Sequence, residues 1–246
     1  MRYFLEVSYS GERYGGFQIQ TNTPTIQSEV ERVLAVYFRS PVKLTGASRT
    51  DAGVNALKNY FHFDTGHPVS ERLIYNLNAM LPVDIAVRSI KQVRPDAHAR
   101  FDATSRKYQY YIYNFKNPFL FNRAWYHPYP LDILRLQEAA AILLGYSDFT
   151  AFSKRNSQVN NHICHLHRSE WSTDDHCLVY AVEANRFLRG MVRGLVGTMV
   201  EVGQGKRTPA DFRKIIEAGD QTKANFSPPG KGLFLVNVHY PENIFL

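Results

Sequence analysis

The chain has 246 residues, 44% of them apolar and 21% charged, the composition of an ordinary globular protein with one large core or two smaller lobes. Lys and Arg outnumber Asp and Glu by 29 to 22, and the net charge of +7 favours a polyanionic partner without specifying one. Two cysteines, Cys164 and Cys177, exclude a disulfide framework, an acid at Glu6 excludes a secretory peptide, and Arg189, Arg193 and Glu201 within residues 187–202 exclude a bilayer span, so a cytoplasmic protein with no membrane partner is expected.

Residues 2–9 alternate, with Tyr3, Leu5, Val7 and Tyr9 on one face, and predict a strand. Gly11, Gly15 and Gly16 mark a loop. Asn22-Thr23-Pro24-Thr25 then supplies a cap with an early proline for a helix carrying Ile26, Val30, Val33, Leu34 and Tyr37, which Pro41 closes. Residues 42–44 predict a short extended run and 58–64 a clearer strand, with a loop between them bounded by Gly46 and Gly53. The spacing of Leu73, Leu77 and Met80 predicts a helix over 70–81, stopped by Pro82, and 83–93 reads as extended. The order strand–helix–strand–strand–helix–strand is the split βαβ pattern.

A strongly aromatic strand is predicted over 106–114. Asp132 caps a helix carrying Ile133, Leu136, Ala140, Leu143 and Leu144, with Gly145 as its stop. Residues 162–171 and 177–184 read as strands and 187–202 as a helix. Thr208 and Asp211 have the capping-box spacing of a last helix ended by Gly219, and 233–240 is the final strand. The expected fold class is therefore α+β: two similar lobes of ferredoxin-like order, forming one extended, mainly antiparallel sheet with a central cleft. The N-terminal lobe is placed at 1–105 and the C-terminal lobe at 106–246.

Three features stand out. Residues 45–56 form a glycine-bounded loop around Arg49-Thr50-Asp51, where an aspartate either builds a turn or does chemistry. Arg186, Arg189 and Arg193 are spaced to share one helical face, either as a solvated stripe or with one guanidinium turned inward to hold a carboxylate. In the stretch 107–113, alternation separates Tyr111 and Tyr113 from Tyr108, Tyr110 and Ile112. Packing is the ordinary role of such tyrosines, but one beside Arg106 and Lys107 can also stack on a base.

Taken together these residues resemble the bacterial tRNA pseudouridine synthase A family. Its Gly-Arg-Thr-Asp-Ala-Gly-Val-His signature matches residues 48–55, with Ser48 and Asn55 departing at the two ends. The resemblance continues through Tyr9-Ser10-Gly11 to Gln18, Pro24-Thr25-Ile26-Gln27, Ala99-Arg100-Phe101, Lys107-Tyr108-Gln109-Tyr110, Asp148 to Phe152, residues 187–197, and Gly232-Leu233-Phe234-Leu235. It implies that Asp51 is the catalytic aspartate and that Arg193, from the opposite lobe, pairs with it. Tyr108 would pack on the target base, Leu233 would form an apolar wall for it, and Arg49 would occupy the space a flipped nucleotide leaves. It further implies isomerisation of uridine at positions 38 to 40 of the anticodon stem-loop and a homodimer gripping one tRNA; such an isomerisation involves no redox change, so no cofactor or metal is expected. Arg100, Lys107, Lys154, Arg155, Lys206 and Arg207 are candidates for phosphate contacts.

Two rival readings make different demands. A non-catalytic RNA-binding module of the same fold predicts that Asp51 is dispensable. A metal site is suggested by His162, Cys164, His165, His167, His176 and Cys177, but these lack zinc-ligand spacing, and a strand would point His162 and Cys164 away from His165 and His167.

Overall fold

The computed structural model describes residues 1–66, 68–70, 72–155 and 159–246; Glu71, inside the predicted second helix, lies outside them. Contacts divide the chain into two α+β units, Met1–Thr104 with Phe234–Leu246, and Ser105–Leu233. Sequence order assigned residues 234–246 to the later lobe, whereas by contacts they group with the earlier one.

In the first unit, β1 (Arg2–Tyr9) lies between β4 (Ile85–Val93) and β3 (Asn55–Asp64), antiparallel to both. The short β2 (Thr45–Gly46) pairs with β3 at His62 and Phe61, three residues later than the extended run expected from the sequence. The last strand, β9 (Leu233–His239), runs parallel to β3, with Asn55 opposite Phe234 and Ala56 opposite Leu235.

Period-two alternation gives this sheet two buried faces. Tyr3, Leu5, Val7, Phe61 and Phe63 lie on one, where Phe38 of α1 (Ile26–Phe38) meets Phe63. α1 begins where Thr25 and Ser28 close a reciprocal capping box, satisfying two otherwise orphaned N–H groups. α2 (Arg72–Met80) buries Leu73 and Leu77. On the opposite face Phe4, Tyr60 and His62 form an aromatic cluster, closed by Tyr240 and Phe245 from the C-terminal segment.

In the second unit, β8 (Cys177–Ala184) pairs antiparallel with β5 (Ser105–Tyr113) and with β7 (Leu166–Asp174). A two-residue strand, β6 (Trp125–Tyr126), adds to β5. Of the two faces that alternation separates on β5, the one with Tyr108, Tyr110 and Ile112 is buried. α3 (Ile133–Ile142) starts at the Asp132 cap and buries Leu136, Ala139 and Ala140. α5 (Pro209–Ala218) has the predicted Thr208–Asp211 capping box and ends at Gly219 in a left-handed conformation. Trp171 reaches from β7 to the Met199 sulfur of α4 (Met191–Gly203).

Two boundaries differ from expectation. α4 begins at Met191 and not at 187, because Gly190 sits at φ 71 and breaks the helical path. Arg186 and Arg189 therefore precede the helix, and only Arg193 of the three lies on it. β7 begins at Leu166, so His162, Cys164 and His165 fall on the approach to the strand. Among the described residues no group of three or more His, Cys, Asp or Glu is arranged to hold a metal, and no helix is long and apolar enough to cross a membrane.

Candidate active site

The loop between β2 and β3 is fixed by the backbone at both ends and by polar side chains in the middle. Ala47 N donates to Tyr60 O (2.8 Å), Phe17 N donates to Thr50 O (3.1 Å), and an antiparallel bridge joins Gly16 to Asp51. Gly16 has a φ of 127, and a Cβ there would lie 2.9 Å from Thr50 O, so only glycine brings the two segments this close. Gly53, at φ 74, turns the chain back, and Val54 N donates to Asp51 O (3.2 Å).

Beneath the loop, Tyr9 Oη and Thr50 Oγ1 are hydrogen-bonded at 2.8 Å. Asn59 Nδ2 donates to Tyr9 Oη (3.1 Å) and to Ser48 O (2.9 Å). Thr50 and Asn59 are buried, and a low-dielectric setting makes such fully paired polar groups rigid. Phe17 stacks on Phe61 at 4.4 Å between centroids and fills the space beside Gly46. Asn55 Oδ1 accepts from Gly11 N (2.9 Å), tying the turn after β1 to the start of β3. The outcome for the two predicted residues is clear: Asp51 is half-buried on a braced backbone, while Arg49, two residues earlier, is exposed.

The other three predicted residues lie in the second unit. Tyr108 is 8% exposed, and its ring meets Phe187 edge-on at 5.1 Å. Before it, Arg106 is buried and donates from Nη1 to Asn185 O (2.7 Å). Arg193, on the third position of α4, is half-buried. Its Nε donates to Pro228 O (2.7 Å) and its Nη2 to Phe226 O (3.3 Å). Burial pushes the Tyr110 phenol well above its usual range, and the nearby Arg193 charge opposes that push. Leu233 is buried at the start of β9, just after Gly232, where a Cβ would lie 2.8 Å from the Tyr110 ring.

Sequence reasoning missed the bracing pair Tyr9 and Asn59. The available signal was an uncharged amide within the apolar strand 58–64, since a buried polar side chain demands partners. It also missed the segment 225–229 on which Arg193 leans, whose sequence Asn225-Phe226-Ser227-Pro228-Pro229 reads as plain loop.

Comparison with known proteins assigns the class. The family model described as tRNA pseudouridine synthase matches residues 139–241. The chain is 46% identical over 246 residues to the tRNA pseudouridine synthase A of Parabacteroides distasonis, covering 99% of this chain and 98% of the relative. It is 47% identical over 249 residues to the protein of that name from Bacteroides fragilis, with the same coverage, and 36% identical to that from Staphylococcus aureus, covering 100% of this chain and 93% of the relative. The chain therefore belongs to the tRNA pseudouridine synthase A family.

Proposed function

We propose that this protein, an isomerase acting on tRNA, converts uridine to pseudouridine at positions 38 to 40 of the anticodon stem-loop, with Asp51 as its catalytic carboxylate. One observation carries the reading. Relatives named tRNA pseudouridine synthase A align along 99% of the chain, so the segments bearing Asp51, Tyr108 and Arg193 all fall inside the aligned length.

The reaction breaks the C1′–N1 bond, turns the uracil and joins C1′ to C5; the C5 proton is released and N1 takes one up, so the product is an isomer. It is redox-neutral and needs neither a redox cofactor nor a metal in principle. The target nucleotide must first leave its stack, at a cost of a few kcal/mol, and stacking on Tyr108 offsets ~1–3 kcal/mol of that. Asp51, ionised, acts at C1′ as nucleophile or as base toward the sugar. Burial disfavours a charged carboxylate and a guanidinium favours it, which is the role assigned to Arg193. Leu233 supplies an apolar wall, and Arg49, exposed on the catalytic loop, fills the gap left by the flipped nucleotide. The protein works in the cytoplasm as a homodimer that holds one tRNA across both copies.

The test uses tRNA transcripts labelled at uridine C5. Wild-type protein releases label from the anticodon stem-loop. Asp51→Asn lowers release by ~10³-fold or more while tRNA binding persists. Release by Asp51→Asn at the wild-type rate would sink the catalytic assignment and favour an RNA-binding module.

A further inference from the structure

The orientation of Arg193 is set by a segment of chain that belongs to no strand or helix. Its guanidinium donates to two backbone carbonyls, Pro228 O and Phe226 O, and each lies in the segment 225–229 that runs across α4. A carbonyl can aim an arginine only if the backbone carrying it is itself immobile.

The structure shows how that is achieved. A Cβ on Gly197 would lie 2.1 Å from Asn225 O and 2.8 Å from Pro228, and one on Gly194 would lie 2.8 Å from the Phe226 ring. The segment therefore rests directly on the backbone of α4, in space that any side chain would occupy. Directly after Gly197 stands Thr198, fully buried. Its hydroxyl donates to Gly194 O (2.8 Å) and accepts from Asn225 N (3.0 Å), so one side chain joins the helix to the segment. Further on, Asn225 Nδ2 donates to Glu201 Oε1 (2.8 Å) and Tyr110 Oη donates to Pro229 O (2.8 Å). The carbonyls of Phe226 and Pro228 are thus held between anchors at Asn225 and Pro229.

We infer that Thr198 and Asn225 are positioning residues for Arg193: they fix the 225–229 backbone so that its carbonyls hold the guanidinium in the orientation the reaction uses. This rests on the assignment of Arg193 above. It goes beyond that assignment in locating the control of the arginine in the hydroxyl of a threonine further along the same helix.

The experiment measures kcat and KM for labelled tRNA in Thr198→Val, Thr198→Ser, Asn225→Ala, Arg193→Ala and the double variant Thr198→Val/Arg193→Ala. Misplacing a reacting group by about an ångström costs ~10²-fold in rate, so Thr198→Val is expected to lower kcat by ~10- to 100-fold with KM within about two-fold. Thr198→Ser, which keeps the hydroxyl, restores most of it. The double variant is no slower than Arg193→Ala alone, because nothing remains to position. Should Thr198→Val fail to fold, Asn225→Ala carries the same test, removing one anchor and leaving the backbone bond to Thr198.

Wild-type kcat in Thr198→Val, beside an impaired Arg193→Ala, overturns the inference and spares the assignment of Arg193. Equal losses from Thr198→Val with and without Arg193 also overturn it, since the threonine would then act on the fold at large. Wild-type turnover by Arg193→Ala removes both.

Discussion

Ser48 carries a buried hydroxyl with no hydrogen-bond partner among the described residues, at the position where the family signature has glycine. An unsatisfied buried hydroxyl costs ~1 kcal/mol or more. Ser48→Ala is therefore expected to raise the thermal midpoint by roughly 2–4 °C, the shift that ~1 kcal/mol produces in a chain of this size. A lower midpoint in calorimetry would mean that the hydroxyl has a partner. His62 makes the opposite kind of demand. It is buried against Phe4 and His98, its Nδ1 accepts from Ala99 N, and burial, with the neighbouring His98 and Arg2 charges, lowers its pKa to about 4 from 6.5. The unfolded chain then binds more protons than the folded one between those values, so stability is full above about pH 6.5 and declines toward about pH 4. Burial lowers His98 and His127 as well, which adds to the decline with the same sign. NMR titration should find His62 neutral at pH 5.5, and an ordinary midpoint there would contradict its burial. The loop that carries Asp51 is legible in the sequence, because glycines bound it at both ends and the family signature runs through it. Ser48 was visible only as a departure; that its hydroxyl is orphaned follows from packing no spacing records.

At the level of elements, local chemistry explains which boundaries the sequence announces. Asp132 and Thr208 cap the helices they were expected to cap, and within the expected stretch 22–25 the cap is Thr25, since capping needs only residues within one turn. The start of α4 was misplaced because Phe187 to Met191 keeps an apolar rhythm through Gly190, and periodicity does not register a left-handed φ. β6 escaped notice since two residues carry no period, and the pairing of β9 with β3 is not legible because strand partners are chosen over long separations. Asn55 illustrates an inter-element tie: its Oδ1 accepts from Gly11 N, both groups buried, where the family signature has histidine. Asn55→Ala is expected to destabilise the protein by ~1–3 kcal/mol by leaving that N–H unpaired, readable as a lower urea midpoint. An unchanged midpoint would mean that the loop and the β1 turn are held otherwise.

For the whole molecule, the +7 charge bears on how tRNA is gripped. Each phosphate neutralised contributes roughly −0.7 to −0.9 to the slope of log affinity against log salt, so tRNA binding should weaken steeply between 50 and 200 mM salt. A flat response would remove the electrostatic component. Lys107, adjacent to Tyr108, and Arg100, a little before it in sequence, are the first candidates for charge reversal.

The return of Phe234–Leu246 to the first unit also bears on synthesis. Residues 1–104 leave the ribosome early, yet the edge of β3 and the rings of Phe4 and Tyr60 await a strand translated after the entire second unit. A nascent chain arrested before Phe234 should therefore present sticky aromatic surface to chaperones, and the N-terminal half should acquire protease resistance only when those closing residues clear the exit tunnel.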